Sequence, residues 1–278
     1  MNRLLDSLTF IFNHPLTRHH RLHTVAKVLW WKCNQWFFST PVVVELEKNI
    51  SIICSPDDSY ASSIVCVRWP EYESMAYLKK KLSTKSVFID IGAGIGEHSL
   101  LAASVIKTGA VYACEPNPAV IGKLTANIHF NKLDKIIKVV PKVVSDKTGT
   151  LIFSVDKTSE LSSIGTKAQT GRKLSSITLD SLIQQHNMPG VDVVKIDTEG
   201  AELLVLRGAK NALQRHTLKH LIIELNPKCQ RYGYSVKDTL EYLVAMKYRL
   251  YTEDEQLINS IPHFLAHHPL TTTIFCKK

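Results

Sequence analysis

Three glycines and an aspartate form an unusual turn in the segment "VFIDIGAGIGEHSLL". Asp90 precedes Gly92, Gly94 and Gly96, and a helix-forming run follows at once. Each glycine raises the entropic cost of ordering the backbone, so the turn must need a main chain without side chains. Glycines after a strand let the chain lie flat against a ligand, and the free N–H groups of the next helix can bind it. The pattern predicts a ligand-binding loop between a strand and a helix.

A second acidic residue lies where a nucleoside would need it. Glu115 ends the next apolar run, 19 residues after Gly96, and Pro116 stops that strand. A carboxylate at this position accepts hydrogen bonds from both hydroxyls of a ribose. Asp90 would repel the pyrophosphate of a dinucleotide but would attract an ammonium group. An adenosyl ligand with an ammonium and a sulfonium therefore fits better than a nicotinamide cofactor, as in class I S-adenosylmethionine-dependent methyltransferases.

Further carboxylates follow two later strands. "KIDTEGAE" supplies Asp197 and Glu199, and "IIELNP" supplies Glu224. Asp197 or Glu199 could act as general base toward an acceptor hydroxyl, or the two together could bind a divalent metal through oxygen ligands. Glu224 could position the acceptor. Glu199 and Glu202 could instead favour a helix N-terminus through capping and the helix dipole. These alternatives stay open for Glu199, whereas we interpret Glu202 as structural.

Two neighbouring residues could assist the carboxylates. Asn226 follows Glu224 and could hydrogen-bond the acceptor. His98 begins the helix after the glycine loop, where it is either a second base or, as we favour, a packing residue.

The elements that must position these residues form a regular alternation. From residue 86 onward, short apolar runs alternate with helical patterns. This predicts a parallel sheet buried on both faces, with right-handed helical crossovers. Ligands bind beyond the carboxyl ends of such strands, where the glycines and carboxylates fall. The predicted strands are "SVFIDI", "AVYACEP", "IIKVVPKVV", "GTLIFSVD", "VDVVKID", "HLIIEL", "YRLYTED" and "TTTIFCKK".

The N-terminal part has a different pattern. Apolar residues recur at helical spacing over residues 1–40, and "PVVVELEKNISIICSP" predicts a β-hairpin. The aromatic end of the helical part predicts packing on the main domain, with a membrane-interface belt as the open alternative. We therefore divide the chain into residues 1–85, a substrate or interaction region, and residues 86–278, the ligand-binding domain. The aromatic residues concerned are Trp30, Trp31, Trp36 and Phe37.

Composition narrows the class of protein. The net charge is +9, but the lysines and arginines are scattered and form no phosphate track. None of the six cysteines forms a C-x-x-C pair, so we expect reduced thiols in a cytoplasmic protein, with peripheral membrane contact open. The first residues lack a secretory apolar core, and no segment approaches the length of a membrane span.

Beyond these features, the chain resembles the FkbM family of methyltransferases. The matching segments are "FIDIGAGIGEHSLLAA", "EPNP", "VVSDKTG", "TLDSL", "VKIDTEGAELLVLRGA" and "IIELN", of which "KIDTEGAE" is the specific one. The resemblance implies a Rossmann-like α/β fold, whose seven-stranded, mostly parallel sheet has its last strand antiparallel. It also implies methyl transfer from S-adenosylmethionine to oxygen, typically a hydroxyl of a sugar, a glycan or a secondary metabolite.

The same resemblance assigns residues to the cofactor. Glu115 and Pro116 would hold the ribose, Ser145 and Asp146 would lie near the adenine, and Asp197 would border the methyl group. Asp146 could equally cap the turn "SDKTG". Many family members carry Ala-Asn where this chain has Ala-Gly, a small change that leaves the loop mechanism intact. The residues that would cradle the methionine part are Asp90, Gly92, Ala93, Gly94 and Gly96.

Rival functions remain. Net positive charge suggests an RNA methyltransferase, but "IDTEG" stands where amino-methylating enzymes of that kind often show Asn/Asp-Pro-Pro-aromatic. A non-catalytic module with the cofactor fold is a second rival, and a NAD-dependent dehydrogenase is a weaker third. For the methyltransferase, residues before 86 and the segment 154–175 would shape the acceptor pocket. The sequence leaves the acceptor, a metal requirement and the oligomeric state open.

Overall fold

The N-terminal part combines helices with a hairpin, as predicted. A computed structural model describes residues 9–58, 60–154, 163–164 and 172–278, so Leu4, Leu5 and Leu8 of the first predicted helix lie outside it. Residues 9–13 are helical. The elements that follow are α1 (Arg21–Cys33), a π-helical turn (Asn34–Phe38), the hairpin β1 (Val42–Glu47) and β2 (Ile50–Cys54), α2 (Ala61–Val67) and α3 (Tyr72–Lys81).

Seven strands then form one sheet, which confirms the predicted fold class. Four neighbouring pairs are parallel, and only the last strand runs antiparallel to both of its neighbours. These strands are β3 (Val87–Ile91), β4 (Ala110–Cys114), β5 (Ile137–Val140), β10 (Val191–Ile196), β11 (Leu218–Leu225), β12 (Arg249–Tyr251) and β13 (Thr272–Lys277). Their spatial order is β12-β13-β11-β10-β3-β4-β5. The last strand therefore lies between β11 and β12 instead of at an edge.

Helices cover both faces of this sheet. Consecutive residues of β3 enter opposite cores: Phe88 packs with the hairpin and α3, whereas Ile89 packs with Leu179 and Leu182 of the helix that precedes β10. Burial of both faces explains why the strands are continuous apolar runs. The helices are α4 (Glu97–Val105), α5 (Pro118–Phe130), α6 (Leu179–Gln185), α7 (Glu202–Arg207), α8 (Lys210–Gln214), α9 (Val236–Ala245) and α10 (Ile261–His267).

The structure divides one predicted strand into two. "IIKVVPKVV" was expected to be continuous, but β5 ends at Val140, and Val143–Val144 form β6 in another sheet. Pro141 has no N–H to donate to a ladder, so the strand ends there. The second sheet also contains β7 (Gly149–Ser154), β8 (Ser163–Ile164) and β9 (Arg172–Ile177), in the order β6-β9-β7-β8. Residues 155–162 and 165–171 of the predicted acceptor segment lie outside the described residues.

The segment "GAELLVLRGAKNALQRH" has the apolar pattern of one helix, but the structure divides it into α7 and α8. Gly208 ends α7, and a Cβ atom there would lie 2.1 Å from the carbonyl oxygen of Ser145. This close backbone approach requires a glycine at the end of α7.

Two asparagines attach the hairpin to the sheet domain. Asn127 lies on α5 and Asn131 caps the C-terminus of that helix, and both side chains bond to the backbone of β2. The Asn127 side chain accepts from the Ile53 amide at 2.7 Å and donates to the Ile95 carbonyl at 3.0 Å. Asn131 accepts from the Ser51 amide at 2.8 Å and donates to its carbonyl at 2.6 Å. The two side chains thus satisfy backbone groups that a neighbouring strand would otherwise bind.

No disulfide joins the six cysteines, all of which lie within the described residues. Within the described ranges, no helix combines the length and the apolar character needed to cross a bilayer.

We expect Asn127→Ala to lower the free energy of unfolding by about 3 kcal/mol, because it strands a backbone donor and a backbone acceptor. Chemical denaturation would measure the change. Asn211→Ala removes an exposed asparagine side chain from α8 and serves as the matched control. Equal stability of the two variants would contradict the attachment described above.

Candidate active site

The glycine loop lies against the neighbouring strand end. The amides of Gly92 and Ala93 donate to the Cys114 carbonyl at 3.0 and 3.1 Å. Gly92 has φ +85°, and a Cβ atom there would lie 1.8 Å from the carbonyl oxygen of Asp197. The loop therefore touches the backbone of the predicted catalytic aspartate, and only glycine permits this contact.

The rest of the loop meets Glu115. Gly94 donates its amide to Oε2 of Glu115 at 3.1 Å, and Asn117 donates to Oε1 at 2.7 Å. Burial raises the pKa of Glu115 to about 7. Gly96, with φ +102°, begins α4, and a Cβ atom there would meet the side chain of Leu124 at 2.7 Å. The structure thus brings together the glycines and the carboxylate that the sequence assigned to one ligand.

Asp90 is buried at the end of β3. Its Oδ2 accepts from the Ser99 hydroxyl at 2.7 Å. Its Oδ1 is buried and has no hydrogen-bond partner among the described residues. Burial raises the pKa of Asp90, against the charges of Lys195 and His98. An orphaned acceptor of this kind fits a cationic ligand group beside the loop.

A buried lysine holds the centre of the site. Lys195 Nζ lies 2.8 Å from Asp197 Oδ2 and 3.6 Å from Glu71 Oε2, and the residue is 2% exposed. Burial lowers the pKa of Lys195, but the carboxylates of Asp197, Glu71 and Asp90 raise it by more, well above its ordinary value. Lys195 is therefore a permanent cation that fixes the Asp197 carboxylate.

Three carboxylates meet around this lysine. Glu71 comes from the turn before α3, Asp197 from the end of β10 and Glu224 from β11, and their oxygens lie within 4.8 Å of one another. Burial, followed by the charge of Asp197, raises the pKa of Glu224 to about 9. Lys195 already supplies positive charge to this cluster. The divalent metal ion stays a prediction.

Sequence reasoning missed three residues here. Lys195 had a detectable signal, since a lysine inside a strand buried on both faces is rare without a partner. For Glu71 and Tyr60 the sequence analysis predicted only that residues before 86 shape the acceptor pocket, and it singled out neither side chain. Burial and the charges of Asp197 and Glu71 raise the pKa of the Tyr60 phenol, so this side chain lies in the field of the cluster.

His98 belongs to the same polar network. Its Nε2 lies 3.1 Å from the Ser74 hydroxyl and 3.6 Å from Glu71, and its Nδ1 lies 3.8 Å from Glu97. Burial raises the pKa of Glu97, but His98 and then Lys195 lower it by more. His98 thus connects α4 to α3 inside the core.

The acids after Asp197 have separate partners. Glu199, with φ +54°, accepts from Asn226 Nδ2 at 3.0 Å and pairs with Lys228. The buried Glu202 accepts from the Gly200 amide at 2.8 Å and from the Thr198 hydroxyl at 3.0 Å. Glu202 thereby stabilises the turn before α7, in line with its interpretation as structural. A catalytic role for Glu199 stays a prediction.

The predicted adenine residues contact other elements. The Ser145 amide donates to the Ile177 carbonyl at 3.0 Å, and its hydroxyl lies 3.2 Å from Asp146 Oδ1. Ser145 also packs against Gly208. Pro116 is half-buried next to Glu115. The adenine role of Ser145 and Asp146 therefore stays a prediction.

A cleft of 390 Å³ adjoins the carboxylate cluster through Glu71. Aromatic and acidic side chains line it, and no lysine or arginine is among its described lining residues. Burial lowers the pKa of His14, so its ring is neutral near pH 7. Burial, then the charge of Glu253, raises the pKa of Glu73. Lining residues of note are Phe10, His14, Glu71, Tyr72, Glu73 and Glu253.

Comparison with known proteins finds a matching family model and a related protein. The family model described as the methyltransferase FkbM domain matches residues 90–250. Hexuronic acid methyltransferase AglP of Haloferax volcanii is 26% identical to this chain over 177 residues, which cover 64% of this chain and 69% of AglP.

Solved structures give weaker likenesses. An rRNA methylase from Streptococcus thermophilus has a TM-score of 0.44 and 14% identity, over 74% of this chain and 93% of its own. TrmK of M. capricolum in complex with S-adenosyl-homocysteine has a TM-score of 0.40 and 15% identity, over 73% of this chain and 65% of its own. Likeness at this level does not identify an acceptor.

We expect Gly92→Ala to reduce both the melting temperature and the affinity for S-adenosyl-homocysteine, because the new methyl group would overlap the Asp197 carbonyl oxygen. Thermal unfolding and calorimetric titration would measure the two effects. Gly122→Ala is the matched control, since a Cβ atom there meets nothing within 4 Å. It should stabilise the protein by about 0.5–1 kcal/mol. Unchanged binding by Gly92→Ala would rule out the proposed loop contact.

The raised pKa of Glu224 predicts that the stability of the folded protein depends on pH. Its pKa rises from 4.5 in an ordinary carboxyl to about 9 in the folded protein. Its contribution to stability is therefore fully present below about pH 4.5 and is lost as the pH rises toward about 9. The melting temperature of Glu224→Gln, relative to that of the wild type, should therefore rise as the pH increases from about 4.5 to about 9. For the exposed control Glu241→Gln, the difference in melting temperature from the wild type should not change with pH. The same constant difference for Glu224→Gln would refute the raised pKa of Glu224.

Proposed function

Because this chain belongs to the FkbM methyltransferase family, we propose that it transfers a methyl group from S-adenosylmethionine to a hydroxyl oxygen of a sugar-containing acceptor. Methyl transfer follows from the family, and the sugar is suggested by the name of the relative AglP. The observation that carries the proposal is the contact between Gly92 of the loop and the backbone of Asp197. It joins the loop proposed for the cofactor to the half-buried cluster of Glu71, Asp197 and Glu224.

The residues of the loop fit the cofactor. The orphaned Oδ1 of Asp90 would accept from the ammonium of the methionine part. Glu115, held by the amides of Gly94 and Asn117, would accept from the ribose hydroxyls. The side-chain-free loop leaves room that a Cβ atom at Gly92 would fill. S-adenosylmethionine supplies, when bound, a methyl group activated by a positively charged sulfur.

Asp197 would serve as the proton acceptor. Its carboxylate would take the proton that the acceptor hydroxyl loses on methylation, and S-adenosylmethionine would leave as S-adenosyl-homocysteine. Lys195 holds one oxygen of that carboxylate at 2.8 Å and so orients the other. Aligning the acceptor and removing its proton are the main contributions a protein makes to such a displacement.

The other two predicted catalytic acids would have distinct roles. Glu224 has a pKa of about 9, so it is protonated near pH 7 and can donate a hydrogen bond to the acceptor. Glu199 would shape the rim of the site through its pair with Lys228 and its bond to Asn226.

We assign the acceptor to the cleft that Glu71 shares with the carboxylate cluster. Residues 1–85 would then supply much of the acceptor side, and residues 86–278 the cofactor side. Aromatic rings such as Tyr72 pack well against the apolar faces of sugars. Glu73 and Glu253, with no described cation in the lining, would repel a carboxylate. We therefore expect an acceptor sugar without a carboxylate, unlike the hexuronic acid in the name of AglP.

Three methyl glycosides test this acceptor class: a glucoside, a glucosaminide and a glucuronide, incubated with protein and S-adenosylmethionine. We expect mass spectrometry to detect a product 14 mass units heavier from the neutral or amino sugar before the uronate. Methylation of the glucuronide alone would overturn the charge argument. Calorimetry without cofactor binding would instead overturn the methyltransferase proposal itself.

Asp197→Asn should lower kcat by roughly 100-fold or more, because an amide cannot take the proton. The dissociation constant for S-adenosyl-homocysteine should change little, since the backbone contact to the loop is retained. Asp134→Asn changes an exposed aspartate in the same way and should leave both values unchanged. Full activity of Asp197→Asn would remove its assignment as the base.

A further inference from the structure

An exposed aromatic ridge lies at the end of α1, in residues that the proposed reaction does not use. The ridge consists of five large apolar side chains within ten residues, each between 54% and 76% exposed. Contiguous apolar patches of this kind mark contact with another protein or with a membrane. The residues of the aromatic ridge are Leu29, Trp30, Trp36, Phe37 and Phe38.

The opposite side of α1 is fixed to the protein. Thr24 and Trp31 are buried, and the Trp31 indole donates to the Ser62 hydroxyl at 2.9 Å. Leu22 and Leu29 have the same seven-residue spacing but are exposed. Residues seven apart share a helix face, so α1 has one face packed and another apolar face in water.

Ordered contacts also hold the π-helical turn that carries Trp36, Phe37 and Phe38. The Asn34 side chain donates to the Thr40 carbonyl and accepts from the Thr40 hydroxyl, both at 2.8 Å. The amide of Ser39, with φ +49°, donates to the Asn34 carbonyl at 2.7 Å. The aromatic side chains are therefore presented to solvent by a tied turn.

Charge indicates what covers the ridge. No aspartate or glutamate occurs between Asp6 and Glu45, while four lysines and arginines do. These four side chains are exposed, and none pairs with a carboxylate within the described part of the chain. Basic residues flanking an exposed aromatic face complement a surface of negative charge over an apolar interior. The four cations are Arg18, Arg21, Lys27 and Lys32.

We propose that the aromatic ridge binds the surface of an anionic lipid bilayer. Trp36, Phe37 and Phe38 would enter the interface between headgroups and acyl chains. The lysines and arginines would bind lipid phosphates, with their apolar stems lying along the interface. This contact is independent of the acceptor proposed above, since the ridge shares no residue with the cleft or the carboxylate cluster.

Vesicle flotation of the full chain tests the proposal. We expect binding to vesicles of phosphatidylcholine with about 30% phosphatidylglycerol, weaker binding in high salt, and a blue shift of tryptophan emission. The variant W36S/F37S/F38S should lose this binding. The variant K27Q/K32Q should reduce the binding constant by about thirtyfold, because each basic residue near an anionic surface contributes roughly fivefold.

Controls separate the lipid surface from other partners. V244S/L270S removes exposed apolar side chains elsewhere and should bind vesicles like the wild type. K27Q/K32Q leaves the apolar ridge intact, so it keeps the test valid if the triple variant fails to fold. Absence of wild-type binding to the anionic vesicles would overturn the proposal. Light scattering that shows a dimer lost in W36S/F37S/F38S, without vesicle binding, would identify the ridge as a contact between two copies.

Discussion

The buried ammonium of Lys195 is the interaction on which the site depends. It lies among carboxylates from three separate parts of the chain: the turn before α3, the end of β10 and the end of β3. Transferring a charged group from water into the protein interior costs several kcal/mol, so a buried lysine is stable only when its carboxylate partners are in place. The lysine therefore requires Glu71 and Asp197 to be in position, and each of them requires the lysine. Through Glu71, this requirement extends to the N-terminal region.

A second constraint joins the two halves of the reaction. Gly92 touches the Asp197 carbonyl, and the Asp197 amide donates to the Ile91 carbonyl at 2.9 Å. The loop proposed for the cofactor and the carboxylate proposed as the base thus share one rigid backbone contact. If the two proposals hold, the sheet fixes the relative position of cofactor loop and base through both strand ends.

The sequence predicted the sheet domain well because its signals are local. Apolar runs that end in glycine or acid mark β3, β4 and β10, and the structure has all three with their acids at the carboxyl ends. What sequence reasoning missed depends on long-range contact. Glu71 reaches Lys195 across 124 residues of chain, and no periodicity records that approach. The break at Pro141 was readable from the proline itself, yet the apolar run around it outweighed that signal.

The position of β13 has a consequence for synthesis of the protein. This strand enters the sheet between β11 and β12, and Thr273 pairs in register with Glu224. Every other strand of the sheet leaves the ribosome before it does, and until then β11 has an open edge beside Glu224. The edge of the sheet beside Glu224 is therefore the last part of this sheet to close during synthesis.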